Sequence, residues 1–436
     1  MLRKTSQPTD DYGRAEVLLG RAKAAYRATQ YPEALAHAQD ALQLVQQNLE
    51  REPRWAVLLD QVYKRMAECH DRRTDFAAMH DTLETWAAAT KRPEGRVENL
   101  ALWARMSYRR GEYEQALRFL DEGASLAQSC GYAAGLAAVL RFRADVLWLS
   151  GQVERAISTA QQALAIFERI DDLEGRARTL NTLGISYTYL GDYYQAIVHW
   201  LRAIQLYETL DERFGLSVIC SNTGEAYQSL YAMRTALFYH QRALDLLDGK
   251  VTSDTVRNLG VDLVAVGRAE EGLAHLERAV AIAKANGEMD NLLQALASHA
   301  EAYWQLGDYA QAETVALELL TLAQARDAKR HLLRAELVLG YCALAAGNHS
   351  KAEEYFHEAF VESQTISDRS LLWRTHAALA EVFSHTQPGT AAMHYSIAAD
   401  ILNQIAKSIG DPQLRDTFYS APMVAKVLSA AAQSHL

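Results

Sequence analysis

The stretch ARTLNTLGISYTYLGDYYQAIVHWLRAIQLYETL, Ala177 to Leu210, decides how the rest of the chain is read. Leu183, Tyr187 and Leu190 recur at helical spacing, and Ile197, Trp200 and Ile204 do the same after the Gly191-Asp192 break. Each half is therefore an amphipathic helix with one apolar stripe, and neither can stand alone. Gly184 lies mid-way along the first helix, where glycine costs roughly 1 kcal/mol relative to alanine. Close approach of the second helix, with Ala196 and Ala203 on its facing side, is the physical reason to keep it.

The unit recurs. Its second-helix alanine appears at Ala116, Ala156, Ala196 and Ala236, then as Gly272 after a step of 36, then at Ala312, Ala352 and Ala392 with the step of 40 restored. The small residue of the first helix follows the same steps: Ala104, Ala144, Gly184, Gly224, Gly260, Ala300, Gly340 and Ala380. A third column holds turn glycines at Gly111, Gly151, Gly191, Gly267, Gly307 and Gly347. Three columns sharing one period identify a repeat protein in which each unit packs on its neighbours.

Leu183-Gly184, Tyr187, Gly191-Asp192-Tyr193, Ala196, Trp200 and Ala203 resemble the tetratricopeptide repeat. That family has a proline after its second helix. Here Asp171 to Gly175 and Asp211 to Gly215 occupy the joint, as in the longer-helix variant of bacterial regulators and some eukaryotic adaptors. The resemblance implies an all-α, right-handed superhelical solenoid of about ten helix pairs plus a C-terminal capping helix. The string LRDTFYSAP, Leu414 to Pro422, resembles the tail that closes such arrays in large bacterial signalling proteins.

The expected organisation is a disordered lead over 1–10, atypical N-terminal helix pairs over 11–93, a regular array over 94–386, and a last pair with its cap over 387–436. The chain has no proline between Pro93 and Pro388, as an all-helical array requires. Four residues are missing from the period between Asp248 and Asp254. There Gly249 is expected to end one helix and Thr252 or Ser253 to cap the next.

The formal net charge of −10 argues against nucleic-acid binding through a basic face. Cys69, Cys130, Cys220 and Cys342 are far apart, so no pair has metal-ligand spacing; they read as reduced thiols of a cytoplasmic protein. No apolar signal segment opens the chain. The longest uncharged run, Leu337 to Ser350, is too short and glycine-broken for a membrane span. Phosphate loops, dinucleotide fingerprints and HExxH are absent, so no catalytic residue, metal or cofactor is expected.

What remains is recognition. The resemblance places the first helices on the inner face of the array, and helical spacing then selects the groove residues. These are Arg105, Tyr108, Arg141, Asp145, Trp148, Arg178 and Asn181, followed by Asn222, Glu225, Arg257, Asn258, Glu301 and Trp304. Arg105, Arg141 and Arg178 form a cationic track suited to carboxylates, and Asn181, Asn222 and Asn258 can grip a peptide backbone. The expected function is a non-enzymatic scaffold binding an extended peptide or protein segment. The alternative is the effector-binding arm of a bacterial transcriptional or ATPase-type regulator. Self-association through an end unit such as the second pair stays open.

Overall fold

The computed structural model describes residues 10–247, 251–366 and 368–433. Expectations for the lead before residue 10, and for Gly249, fall outside them. The described residues form twenty-two α-helices. Packing divides the chain into two compact units, Met1–Thr182 and Leu183–Leu436.

The first unit pairs α1 (Asp11–Arg27) with α2 (Tyr31–Asn48), α3 (Pro53–Arg72) with α4 (Phe76–Ala89), α5 (Pro93–Arg109) with α6 (Tyr113–Ser129), and α7 (Ala133–Leu149) with α8 (Val153–Arg169). The unit boundary falls inside α9 (Leu173–Leu190). The second unit continues with α10 (Tyr193–Thr209), then pairs α11 (Arg213–Ser229) with α12 (Met233–Leu246) and α13 (Ser253–Ala265) with α14 (Ala269–Asn286). It goes on with α15 (Met289–Gln305) and α16 (Tyr309–Gln324), α17 (Lys329–Ala345) and α18 (His349–Ser363), and α19 (Arg369–Phe383) and α20 (Pro388–Ser408). Two further helices, α21 (Pro412–Ser420) and α22 (Pro422–Gln433), complete it.

The turn column does what its composition demands. Gly111, Gly151, Gly191, Gly267, Gly307 and Gly347 all take positive φ, between 73° and 88°, where a side chain is strained. The next position often caps the second helix: Asp192 accepts from the Gln195 amide at 3.1 Å, Asp308 from Gln311 at 3.2 Å and Asn348 from Lys351 at 3.2 Å. Prolines sit in the first turns of α2, α3, α5, α20 and α21, where no backbone donor is lost. Thr252 caps α13 in a reciprocal capping box with Thr255.

The small column marks where two helices touch. A Cβ on Gly184 would lie 2.3 Å from the Trp200 indole, on Gly224 2.3 Å from His240, and on Gly340 2.3 Å from Phe356. A glycine is thus the seat for a large residue on the partner helix. In the first unit the irregular second pair is held by a buried carboxylate instead. Asp60 accepts from the Trp86 indole at 2.8 Å and pairs with Arg92 at 3.0 Å.

Candidate functional site

In the first unit, the side chains singled out on α5 and α7 meet acids of their own unit. Arg105 stands 3.8 Å from Asp71 and its guanidinium 6.0 Å from the Phe142 ring centroid, on which Tyr108 also packs edge-on at 5.8 Å. Arg141 pairs with Asp145 at 2.8 Å, and Asp145 also accepts from the Thr182 hydroxyl at 2.7 Å. Burial raises the Asp145 carboxyl, while Arg141 and the Thr182 hydroxyl oppose that rise. Arg178 pairs with Glu174 at 2.6 Å on the exposed side of α9. Trp148 and Asn181 are half-buried on α7 and α9. Arg105, Arg141 and Arg178 thus each have an acid of their own unit within 4 Å.

The second unit closes its polar ladder more tightly. Glu225 on α11 accepts from Asn258 at 2.9 Å and Arg257 at 3.1 Å, both buried on α13. Burial raises the Glu225 carboxyl, but Arg257 and the Asn258 amide outweigh it and hold it below the usual range. Next to this cluster, Asp262 accepts from Gln228 at 2.7 Å and lies 2.5 Å from His240 Nδ1. Glu301 on α15 takes both arms of Arg334 at 3.0 Å and one of Arg374 at 3.3 Å. Against the raising effect of burial, these two arginines hold Glu301 down at about 2.

Three of the selected residues line open space. Asn222 and Glu225 border a cavity of about 520 Å³ that also touches Tyr189, Arg330 and Arg369. Trp304 stacks on Tyr341 with ring centroids 4.7 Å apart. It borders a trough of about 1130 Å³, walled by Tyr227, Tyr231, Tyr309 and Met423, and a neighbouring cavity of about 370 Å³ with Tyr341 and Tyr395. Burial pushes the Tyr227 phenol up to about 12 and raises Tyr231 and Tyr309's neighbour Tyr341 as well, so these rings stay neutral donors.

Sequence reasoning did not find Arg334, Arg374, Tyr231 or Phe418. Helical spacing carries no sign that Arg334 and Arg374 serve Glu301 from the two following pairs. Tyr231 did leave a signal: it stands in the turn column where the flanking units have Gly191 and Gly267, and it keeps their left-handed backbone, with φ 59°.

Residues 96–169 and 252–325 match one profile of the tetratricopeptide repeat, and residues 176–210 match a second. The chain carries tetratricopeptide repeats. Among solved structures, the apo form of RapI is 12% identical and covers 80% of this chain and 98% of its own, with a TM-score of 0.59. That likeness concerns the fold. A Rap protein complexed with competence and sporulation factor is 16% identical and covers 90% of this chain and 99% of its own, with a TM-score of 0.44. The uncharacterized protein ycf37 of Guillardia theta is 26% identical over 113 residues, which are 26% of this chain. The chain spans 62% of the length of that relative. These tetratricopeptide repeats form a helical scaffold. Among the described residues, no helix is long and apolar enough to cross a membrane, and no group of three or more His, Cys, Asp or Glu is placed to hold a metal ion.

Proposed function

We propose that this tetratricopeptide-repeat protein is a non-enzymatic scaffold that holds a protein segment against its first-helix face, with the trough beside Trp304 as the main anchor site. The observation that carries this reading is the trough itself. At about 1130 Å³ it has room for several side chains of a protein segment. Its aromatic walls supply rigid, amphipathic contact area of the kind that dominates binding energy at interfaces. The polar ladder plays a secondary part. Glu225, Arg257, Asn258 and Glu301 are engaged with their own neighbours and set the shape of the face.

A photo-crosslinking amino acid at Tyr309, which is 43% exposed beside Trp304, tests the reading directly. Cells carrying it should yield a discrete crosslinked protein that disappears when Trp304→Ala is added. The control places the same crosslinker at Phe238, 60% exposed and outside the trough. Identical capture from both positions would sink the assignment. A triple variant, Arg141→Ala, Asn181→Ala and Asn222→Ala, should stay folded and retain fewer partners in a pull-down.

A further inference from the structure

The helices after the last repeat pair do two different things. α22 packs on α20 through buried Val424 and Val427, as a capping helix should. α21 leaves the stack. The link before it touches α10, since a Cβ on Gly410 would fall 2.8 Å from the Tyr194 ring. From there Asp411, Leu414 and Thr417 run along the trough beside Tyr227 and Met233. Phe418, 1% exposed, then packs against Tyr231 with ring centroids 6.1 Å apart.

A second, independent observation lies at Tyr231. A bulky side chain in the left-handed region is strained; six within-pair turns place glycine there, while Thr29, Thr74 and Tyr231 hold the same conformation without it. At the turn before α12, the position that holds Gly191 and Gly267 in the flanking pairs is a tyrosine that keeps φ 59° and places its ring on Phe418. The strained residue is where the chain meets its own strap.

Besides Phe418, the strap has a 3.4 Å bond from the Tyr419 hydroxyl to Asn403 Oδ1 of α20. Phe418 is the only buried residue of α21. Its two caps, Asp411 with φ −82° and ψ 118° and Ala421 with φ −61° and ψ 131°, are extended, so the helix is joined to its neighbours by non-helical residues at both ends. Asp411, Gln413, Leu414 and Thr417 form one side of the trough and occupy part of the groove between α11, α12 and α15, and the rest is open. Resting on the reading of the trough as a protein-binding site, we propose that α21 is a built-in occupant of that site, displaced by a partner helix that presents an apolar residue and an aromatic four positions later. Leu414 and Phe418 define that pattern, because residues at this spacing share one helix face. Closure is intramolecular, so the strap acts at a high effective concentration and weakens any partner binding in trans. Loosening it strengthens that binding.

The probe is a labelled synthetic peptide of residues 410–422, GDPQLRDTFYSAP, titrated into the full-length protein. A Leu414→Ala, Phe418→Ala full-length variant should bind it saturably and at least about tenfold more tightly than the unaltered protein does. The peptide carrying Phe418→Ala should not bind. Equal binding to both proteins, or binding to neither, overturns the proposal. Hydrogen exchange on the unaltered protein decides the matter if the variant loses helix content: amides of α21 should exchange at least about tenfold faster than those of α20, as a separately opening segment does. Exchange as slow as that of α20 makes α21 a permanent part of the fold and also overturns the proposal. Failure here combined with capture at Tyr309 leaves the binding reading intact. Peptide binding without capture leaves the strap and removes the cellular partner.

Discussion

Gly260 on α13 and Gly272 on α14 face each other with no side chain between them. A Cβ on Gly260 would lie 2.9 Å from the Gly272 carbonyl oxygen, and one on Gly272 would lie 2.7 Å from that of Gly260. At Gly184, Gly224 and Gly340 a Cβ meets an aromatic or imidazole ring; here it meets Leu276 at 2.8 Å or Val264 at 2.6 Å and, almost as close, backbone, which cannot rotate away. Gly260→Ala and Gly272→Ala should each destabilise the protein by about 1–3 kcal/mol, despite the better helix propensity of alanine. Gly20 on α1 has nothing within 4 Å, so Gly20→Ala should stabilise by about 0.5–1 kcal/mol. Opposite shifts in the urea midpoint check the pair.

Glu301 should be the most sensitive acid of the second unit. Removing its charge by Glu301→Gln leaves Arg334 and Arg374 partly buried without a counter-charge, a loss of about 3–5 kcal/mol. Replacing all three by Leu, Met and Leu should recover much of it. The carboxyl sits at about 2 in the fold, below its ordinary value. Its contribution is therefore complete above the ordinary carboxylate range and lost as pH falls toward 2. Acid titration of the melting temperature should show a loss in the unaltered protein that is missing in Glu301→Gln.

Glu336 should behave in the opposite sense. It is 6% exposed on α17, its Oε2 has no hydrogen-bond partner, and burial, with Glu358 and Glu362 adding to it, pushes the carboxyl up to about 8. The unfolded chain releases this proton first, so the folded state loses stability as pH rises from the ordinary carboxylate range toward 8. Glu336→Gln removes that loss. Relative to the unaltered protein it should gain stability on going from about pH 5 to about pH 9, on the order of a few kcal/mol. A constant difference across that range would refute the assignment.

His240 should be coupled to Asp262 rather than merely packed. Both are buried; Nδ1 lies 2.5 Å from the carboxylate and Nε2 3.1 Å from the Ser221 carbonyl oxygen. Nδ1 faces the Asp262 carboxyl and Nε2 a backbone carbonyl oxygen, so the ring ties α12 to α13 and to α11. His240→Phe keeps a ring over Gly224 but strands the Asp262 carboxylate, and should cost about 1–3 kcal/mol. Adding Asp262→Leu should recover part of the loss. A double-mutant cycle should return a coupling of about 0.5–3 kcal/mol.

The glycine columns made the helix pairs readable in advance. A turn that needs positive φ and a seat that needs no Cβ are both local requirements, and each leaves a residue type at a fixed step. Glu225 and Glu301 were readable in the same way, as polar positions on the first helix of a pair. Their partners were not. Arg334 and Arg374 reach Glu301 from 33 and 73 residues away. Nothing in the spacing of α17 and α19 distinguishes an arginine turned to a carboxylate from one turned to solvent.

The sequence by itself determined the repeat, its period and the apolar stripe of each helix, because helical periodicity and backbone conformation are short-range and each residue answers for its own place. Tertiary structure alone decided which charges are already neutralised, and that Phe418 returns to Tyr231 across 187 positions of chain. Those outcomes depend on how successive pairs stack, and stacking is fixed by the summed packing of many side chains rather than by any one residue.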